Sequence, residues 1–296
     1  MEDKGMLAGK VALVTGAGGG IGKAIVVAMA RAGATVVIND VGVSLTGEGG
    51  SATPAEATRA EIAAFGGQAV ISTDSVSDWE GAQRMVALAK DTFGRLDIVV
   101  NNAGILRDAM FHKMTPESWL AVIAVHLNGA FFVSRAAAEI FRAQESGAFI
   151  HMTSTSGLIG NFGQTNYGAA KGGIWGLSNV LAIEGRKYNI RIWTLAPGAL
   201  TRMTADLPRY KENPGAALGP DGIAPAVLYM VSDLSGDQTG KVLGVSGPRG
   251  VREMRMMEME GWTPPFTGWK AEDIVTHAKE IFFSEEEIKK SARRFK

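Results

Sequence analysis

Cysteine is absent from all 296 residues. That excludes disulfides, thiolate nucleophiles and cysteine-based metal sites. Net charge is absent too, with 30 basic residues against 30 acidic ones. Such a balance offers no field to draw in nucleic acid or an anionic membrane, and neither is expected as a partner. Histidine is scarce. His112, His126, His151 and His277 are read as structural residues, and no metal is expected. The first ten residues, MEDKGMLAGK, lack the apolar core of a secretory signal. No apolar run reads as long enough to span a membrane. The final ARRFK is not an address of the SKL type. A cytoplasmic location is the expectation.

Glycine is in excess, at 38 residues. Many lie in clusters at 16–22, 42–50 and 157–176. Glycine permits positive φ and close backbone approach, so such clusters after strands suggest loops built around a ligand. Short apolar runs at 11–15, 35–39, 69–73, 97–101, 148–153, 191–196 and 241–246 read as strands, several apolar on both faces as in a buried parallel sheet. Helical patterns fall between them, at 20–32, 54–65, 79–93, 116–143, 166–188 and 222–232. The alternation predicts an α/β fold: a doubly wound, seven-stranded parallel sheet flanked by helices, a single Rossmann domain over 1–247. The rhythm stops after Gly247, and 248–296 reads as a C-terminal extension packed on that domain. Within it, a helix is expected at about 271–283 and a cap at Ser284, and Met254–Met259 is read as packing.

The first strand ends in TGAGGGIG, Thr15 to Gly22. The strict GxGxxG spacing fails because Ile21 takes the third place. Gly16, Gly20 and Gly22 still meet the physical need: a tight turn, bare backbone toward a pyrophosphate, and a helix N-terminus facing the anion. The second strand ends at Asp40, placed to accept from adenosine ribose hydroxyls. A 2′-phosphate there would meet a like charge, and Gly19 leaves the loop without a cation, so NAD is favoured over NADP. Asp74, which could meet the adenine, and Ser75 beside it follow the third strand. Asn101, Asn102, Ala103 and Gly104 follow the fourth as NNAG, and Pro197, Gly198 and Thr201 follow the sixth. All are candidate cofactor contacts, except that Asn101 only begins its motif. They belong to one edge of the sheet, the edge where such crevices form.

Ser154 sits at that edge as well. Tyr167 and Lys171 are four apart in YGAAK and share a helix face. A phenol of pKa about 10 is a poor base at neutral pH. A nearby ammonium would stabilise its phenolate, and a positioned hydroxyl would hold a substrate oxygen. Together they can take a proton from an alcohol while a cofactor, for which Tyr167 and Lys171 are also candidate contacts, takes the hydride.

The glycine loop, NNAG, Ser154 with YGAAK, and PGALT at 197–201 resemble, in this order, the short-chain dehydrogenase/reductase family over residues 7–247. The resemblance implies a catalytic tetrad of Asn128, Ser154, Tyr167 and Lys171, with Tyr167 as acid/base. Ser154 would hold the substrate oxygen, Lys171 would lower the tyrosine pKa and bond the nicotinamide ribose, and Asn128 would hold a relay water. It also implies a homodimer or homotetramer packed through 116–143 and 166–188. NNAGILRDAMFHKM, SGLIGNFGQTNYGAAK and LAIEGRKYNI are similar to one subgroup, the (3R)-hydroxyacyl-CoA dehydrogenases. That likeness implies an NAD-dependent dehydrogenase of a 3-hydroxyacyl-CoA. The alternatives are a hydroxysteroid or other bulky secondary-alcohol dehydrogenase, and an NAD-binding sensor or scaffold without catalysis. The stretch 201–218 is expected to cover the substrate, with Arg202, Arg209 and Lys211 as candidate contacts for CoA phosphates.

Overall fold

The computed structural model describes residues 5–201, 204, 218–247, 250–255, 270–284 and 286. Two compact units divide the chain, Met1–Met254 and Arg255–Lys296. In the first, strands β1 (Val11–Thr15), β2 (Thr35–Asn39), β3 (Ala69–Ser72), β4 (Ile98–Asn101), β5 (Gly147–Met152), β6 (Ile190–Gly198) and β7 (Lys241–Ser246) form a parallel array. The spatial order is β3-β2-β1-β4-β5-β6-β7, with the order reversing between β1 and β4. An open sheet of this kind forms its ligand crevice outside the strand C-termini at that reversal.

The continuous apolar runs are explained by two cores, one on each face of the sheet. In β1, Ala12 and Val14 join one cluster with Ile25, Val26 and Met29 of α1 (Gly20–Arg31) and Val227 and Met230 of the helix Ala224–Val231. Val11 and Leu13 point the other way. They join Met85 and Ala89 of α3 (Trp79–Phe93), after α2 (Thr53–Ala64), and Val133, Ala137 and Phe141 of α5 (Gly129–Gln144), which follows α4 (Pro116–Ile123). With side chains alternating across the sheet, a strand covered on both sides must be apolar throughout.

Local signals set the helix starts. Asp78 caps α3 by accepting from Gly81 N at 2.9 Å, and Gly94, at φ +79°, ends it. Thr115 caps α4 by accepting from Ser118 N, and Pro116 takes the first turn, where its missing N–H costs nothing.

Three features depart from the sequence expectations. The predicted helix 116–143 is interrupted by a π-turn at Ala124–Asn128. Periodicity at 3.6 residues per turn does not reveal one inserted residue. The stretch Pro116–Gln144 is also long and apolar enough to cross a membrane by length and composition, contrary to the sequence reading. In the fold its residues Val122, Val133, Ala137 and Phe141 are buried in the protein core. Finally, Gly250–Met254, assigned from sequence to the extension, adds an antiparallel strand, β8, to the edge of β7, making eight strands in all. Its Val251, Arg252 and Glu253 are exposed, so it carries no buried alternation for a sequence reading to detect.

In the second unit, Ala271–Thr276 and Ala278–Ile281 are helical, separated by a turn at His277 where one helix was expected. Glu285, Glu287 and Met256–Met259 lie outside the described residues.

Candidate active site

The glycine loop and NNAG are laced together by Thr15. Its hydroxyl accepts from Asn102 N and Ala103 N, each at 3.0 Å, and donates to Val100 O. The Asn102 carboxamide donates to Thr15 O at 2.9 Å and Gly16 O at 3.1 Å. Gly16 holds φ +65°, and a Cβ on Gly22 would lie 2.1 Å from Gly16 O. No side chain fits at that crossing. Around Gly19 and Gly20 the space is open, and α1 begins at Gly20 without a side-chain cap. Its first N–H groups therefore face a cradle free of side chains, which suits a pyrophosphate. Ile21, the second residue of α1, packs against the sheet core.

Asp40 stands at the end of β2 with both oxygens engaged. Gly18 N donates to Oδ2 and Gly42 N to Oδ1, each at 2.7 Å. A fixed carboxylate beside the cradle fits a ribose diol, so the residues present suit a dinucleotide. Asp74, just past the end of β3, is fixed in a similar way. Arg84 Nε donates to its Oδ1 at 2.7 Å and Ser72 Oγ to its Oδ2 at 3.0 Å. Ser75 Oγ pairs with Ser77 Oγ. Thr201 N donates to Thr204 Oγ1, and Pro197 and Gly198 close β6 against Val245 and Ser246. Arg202, Arg209 and Lys211 lie outside the described residues.

Ser154 caps the short helix α6 (Thr155–Leu158), accepting from Ser156 N at 3.2 Å, which fixes its hydroxyl at the strand end. The following helix α7 (Thr165–Gly185) brings Tyr167 and Lys171 over β5. The Ser154 hydroxyl acts on the Tyr167 phenol and favours its charged form. Lys171 is 4% exposed, and its Nζ donates to Met152 O at 2.6 Å while Thr153 Oγ1 donates to Lys171 O at 2.8 Å. The ammonium lies 5.5 Å from the Tyr167 ring centroid. Serine, tyrosine and lysine are thus assembled as the motif spacing implied.

The electrostatics of this arrangement differ from expectation. Burial pushes Tyr167 up to about 12, against a lowering by Ser154 and with a further rise from Asp108. Burial brings Lys171 down to about 7. Desolvation penalises each charged form, and what lowering Tyr167 receives comes from Ser154, not from the Lys171 ammonium the sequence pointed to.

Asn128 requires correction. It is exposed, and its side chain makes no hydrogen bond among the described residues. The inward residue of that turn is His126, 3% exposed, its ring edge-on to Tyr167 at 5.2 Å between centroids. Residues two apart on a helix point to opposite faces, so His126 and Asn128 cannot both face the tyrosine. No sequence pattern singled out His126. Its neighbour across the site, Gly104, is a better pointer: a Cβ there would lie 2.3 Å from His126 Cε1. His151, by contrast, is tied into the core through Ser134 Oγ at 3.0 Å and Ser178 Oγ at 2.8 Å, as a structural histidine should be.

A crevice at the reversal of a doubly wound sheet, with a glycine cradle and a Ser–Tyr–Lys set, defines a dinucleotide-dependent oxidoreductase class. A profile described as short chain dehydrogenase matches residues 10–212, and the chain belongs to that family. It is 49% identical over 230 residues to a Mycobacterium tuberculosis protein named as a short-chain type dehydrogenase/reductase, covering 77% of this chain and 79% of that one. It is also 49% identical over 222 residues to peroxisomal multifunctional enzyme type 2 of Mus musculus, covering 75% of this chain and spanning only 30% of the mouse protein. A crystal structure of a short chain dehydrogenase from Mycobacterium avium superposes with a TM-score of 0.81 at 37% identity, covering 94% of this chain and 95% of that one. The family's chemistry is oxidation and reduction at CH–OH carbons of small molecules with a nicotinamide dinucleotide.

The buried lysine makes a stability prediction. Its folded pKa, about 7, lies below the ordinary lysine value of 10.5. The unfolded chain therefore binds the extra proton between those values, and the burial penalty is full below pH 7 and fades as pH rises toward 10.5. At about 1.4 kcal/mol per unit, the pH-dependent part amounts to several kcal/mol. Denaturant midpoints of Lys171→Met and wild type, compared at pH 7 and pH 10, should show the gap moving in favour of the variant at the lower pH.

Proposed function

We propose that this protein is an NAD-dependent dehydrogenase that oxidises a secondary alcohol to a ketone, with a 3-hydroxyacyl-CoA as substrate. The observation that carries the reaction is the assembled Ser154–Tyr167–Lys171 set. The nicotinamide, when bound, supplies the hydride acceptor. Ser154 Oγ, held by the N-terminus of α6, orients the substrate oxygen. Tyr167, as phenolate, takes the hydroxyl proton. Lys171 stabilises that phenolate and is placed to bond the ribose of the cofactor. Replacing Tyr167 by Phe should leave NAD affinity unchanged in a fluorescence titration and lower kcat by about 10²–10⁴-fold. Retained turnover would remove the assignment.

Preference for NAD rests on Asp40. Its carboxylate is fixed by the Gly18 and Gly42 amides, and a 2′-phosphate there would meet a like charge. Lys23, the cation in the first turn of α1, is paired with Glu61 at 2.8 Å. In Asp40→Ala the NAD preference should fall by about 10–100-fold, the worth of a charged hydrogen bond, read as kcat/KM with NAD against NADP.

The substrate reading rests on the likeness to multifunctional enzyme type 2 and on an apolar rim. Met110, Phe111, Ile159 and Phe162 are exposed where Ala109 bridges Gln164, next to α6 and the start of α7. Such a rim suits a long acyl chain, and equally the body of a hydroxysteroid. Side-by-side rates on a 3-hydroxyacyl-CoA and a hydroxysteroid with NAD should favour the thioester. The reverse order would give the second reading, and complete inactivity on alcohols would favour a binding role. Association into a dimer or tetramer through α4, α5 and α7 belongs to the same proposal, since Trp119, Leu120, Phe131, Val180 and Ile183 leave apolar area exposed on those helices. A cytoplasmic location completes it.

A further inference from the structure

The segment between β2 and α2 is anchored on the loop that follows NNAG. Residues 41–51 include Gly42, Gly47, Gly49 and Gly50. A stretch so rich in glycine loses much backbone freedom when it is held in one shape. Bonds of its own close it in part. Ser51 N donates to Val41 O at 3.0 Å and Ser44 N to Glu48 O at 2.8 Å. Ser44 Oγ accepts from Glu48 N at 3.1 Å and lies 3.0 Å from Thr46 Oγ1.

The rest of the holding comes from residues 105–107. Leu106 N donates to Leu45 O at 3.0 Å. Arg107 Nε donates to Thr46 O at 2.8 Å. Val43 and Tyr167 both pack against the cluster that contains Ile105. Gly47, at φ +90°, rests on the same residue. A Cβ there would lie 3.2 Å from Ile105 Cδ1 and 3.9 Å from Arg107 Nη2. Arg107 itself is half-buried and fixed from the far side. Its carbonyl accepts from Asn166 Nδ2 at 2.9 Å. Asn166 is wholly buried, and its Oδ1 accepts from Tyr167 N at 2.8 Å. The arginine therefore stands on the first turn of α7 and reaches across to the segment after β2.

The other end of that segment is Asp40. Gly42 N donates to its Oδ1 at 2.7 Å, and this bond depends on where residues 41–51 lie. We propose that Arg107 is a positioning residue for the adenosine half of the cofactor. Its bond to Thr46 O holds the segment in the shape that aims the Gly42 amide at Asp40. That amide fixes one of the two oxygens that would accept from the ribose diol. A loop ordered before the ligand arrives takes its ordering cost out of the binding step. The proposal rests on the reading of Asp40 as the ribose acceptor and adds the residue that holds it from outside its own strand.

Arg107→Met keeps the aliphatic stem and removes the donor. It should raise the Kd for ADP-ribose, read by calorimetry, by about tenfold, the scale of one hydrogen bond from a charged group. KM for NAD should rise by the same factor while kcat stays within about twofold, because Ser154, Tyr167 and Lys171 are untouched. Gly47→Ala, which presses the segment off Ile105 with Arg107 in place, should also weaken ADP-ribose binding. In an Asp40→Ala background Arg107→Met should add nothing, since the bond it supports is already gone. A readout without ligand is amide hydrogen exchange, which should quicken over 40–51 in Arg107→Met. An unmoved Kd for ADP-ribose would overturn the proposal. So would the same loss of affinity with and without Asp40, or a kcat that falls along with affinity, either of which marks a brace for the fold. A wild type that prefers NADP would instead remove the reading of Asp40, while ADP-ribose binding and exchange over 40–51 would still decide the role of Arg107.

Discussion

Much of this molecule depends on burying one lysine at the edge of a parallel sheet. Lys171 is almost fully covered, donates to Met152 O at the end of β5, and accepts through its own carbonyl from Thr153. Those two bonds pin α7 to the strand end. The pinning puts Tyr167 beside Ser154, whose orientation comes from capping the next turn of chain. The energetic cost falls on the lysine, whose charged form is penalised by desolvation. The proposed reaction needs a phenolate at neutral pH, and in it the buried lysine would have to stay charged.

The cofactor edge is built by a different means. Here backbone approaches backbone, and side chains are excluded where Gly22 crosses Gly16. Thr15 and Asn102 tie the loop after β1 to the loop after β4, the two strands that flank the reversal of the sheet. The crevice is therefore a consequence of topology. Two neighbouring parallel strands send their connections to opposite faces, and the loops part above them.

Legibility of the fold in the sequence followed burial. The seven parallel strands were readable because β1, β2, β4 and β5 are buried along almost their whole length and so are mostly apolar, and the partly buried β3, β6 and β7 keep apolar runs of their own. β8 was not, since its side chains lie in solvent and only pairing with β7 defines it. The helices read well where caps were explicit, as at Asp78 and Thr115. The break in 116–143 did not, because a π-turn leaves composition and periodicity nearly unchanged while displacing every side chain that follows.

That displacement separates what each level decided. The sequence by itself determined the chemistry of the set: a glycine loop after a strand, an acid at the end of the next, and a tyrosine and lysine one helical turn apart. Those relations are local or lie at strand ends, where spacing and alternation carry them. Only the tertiary structure decided that His126, not Asn128, faces Tyr167, that the lysine is desolvated, and that Asp74 is bonded by Arg84. Each of those depends on which groups the fold brings together and how much water it removes, and neither is encoded at any fixed spacing along the chain.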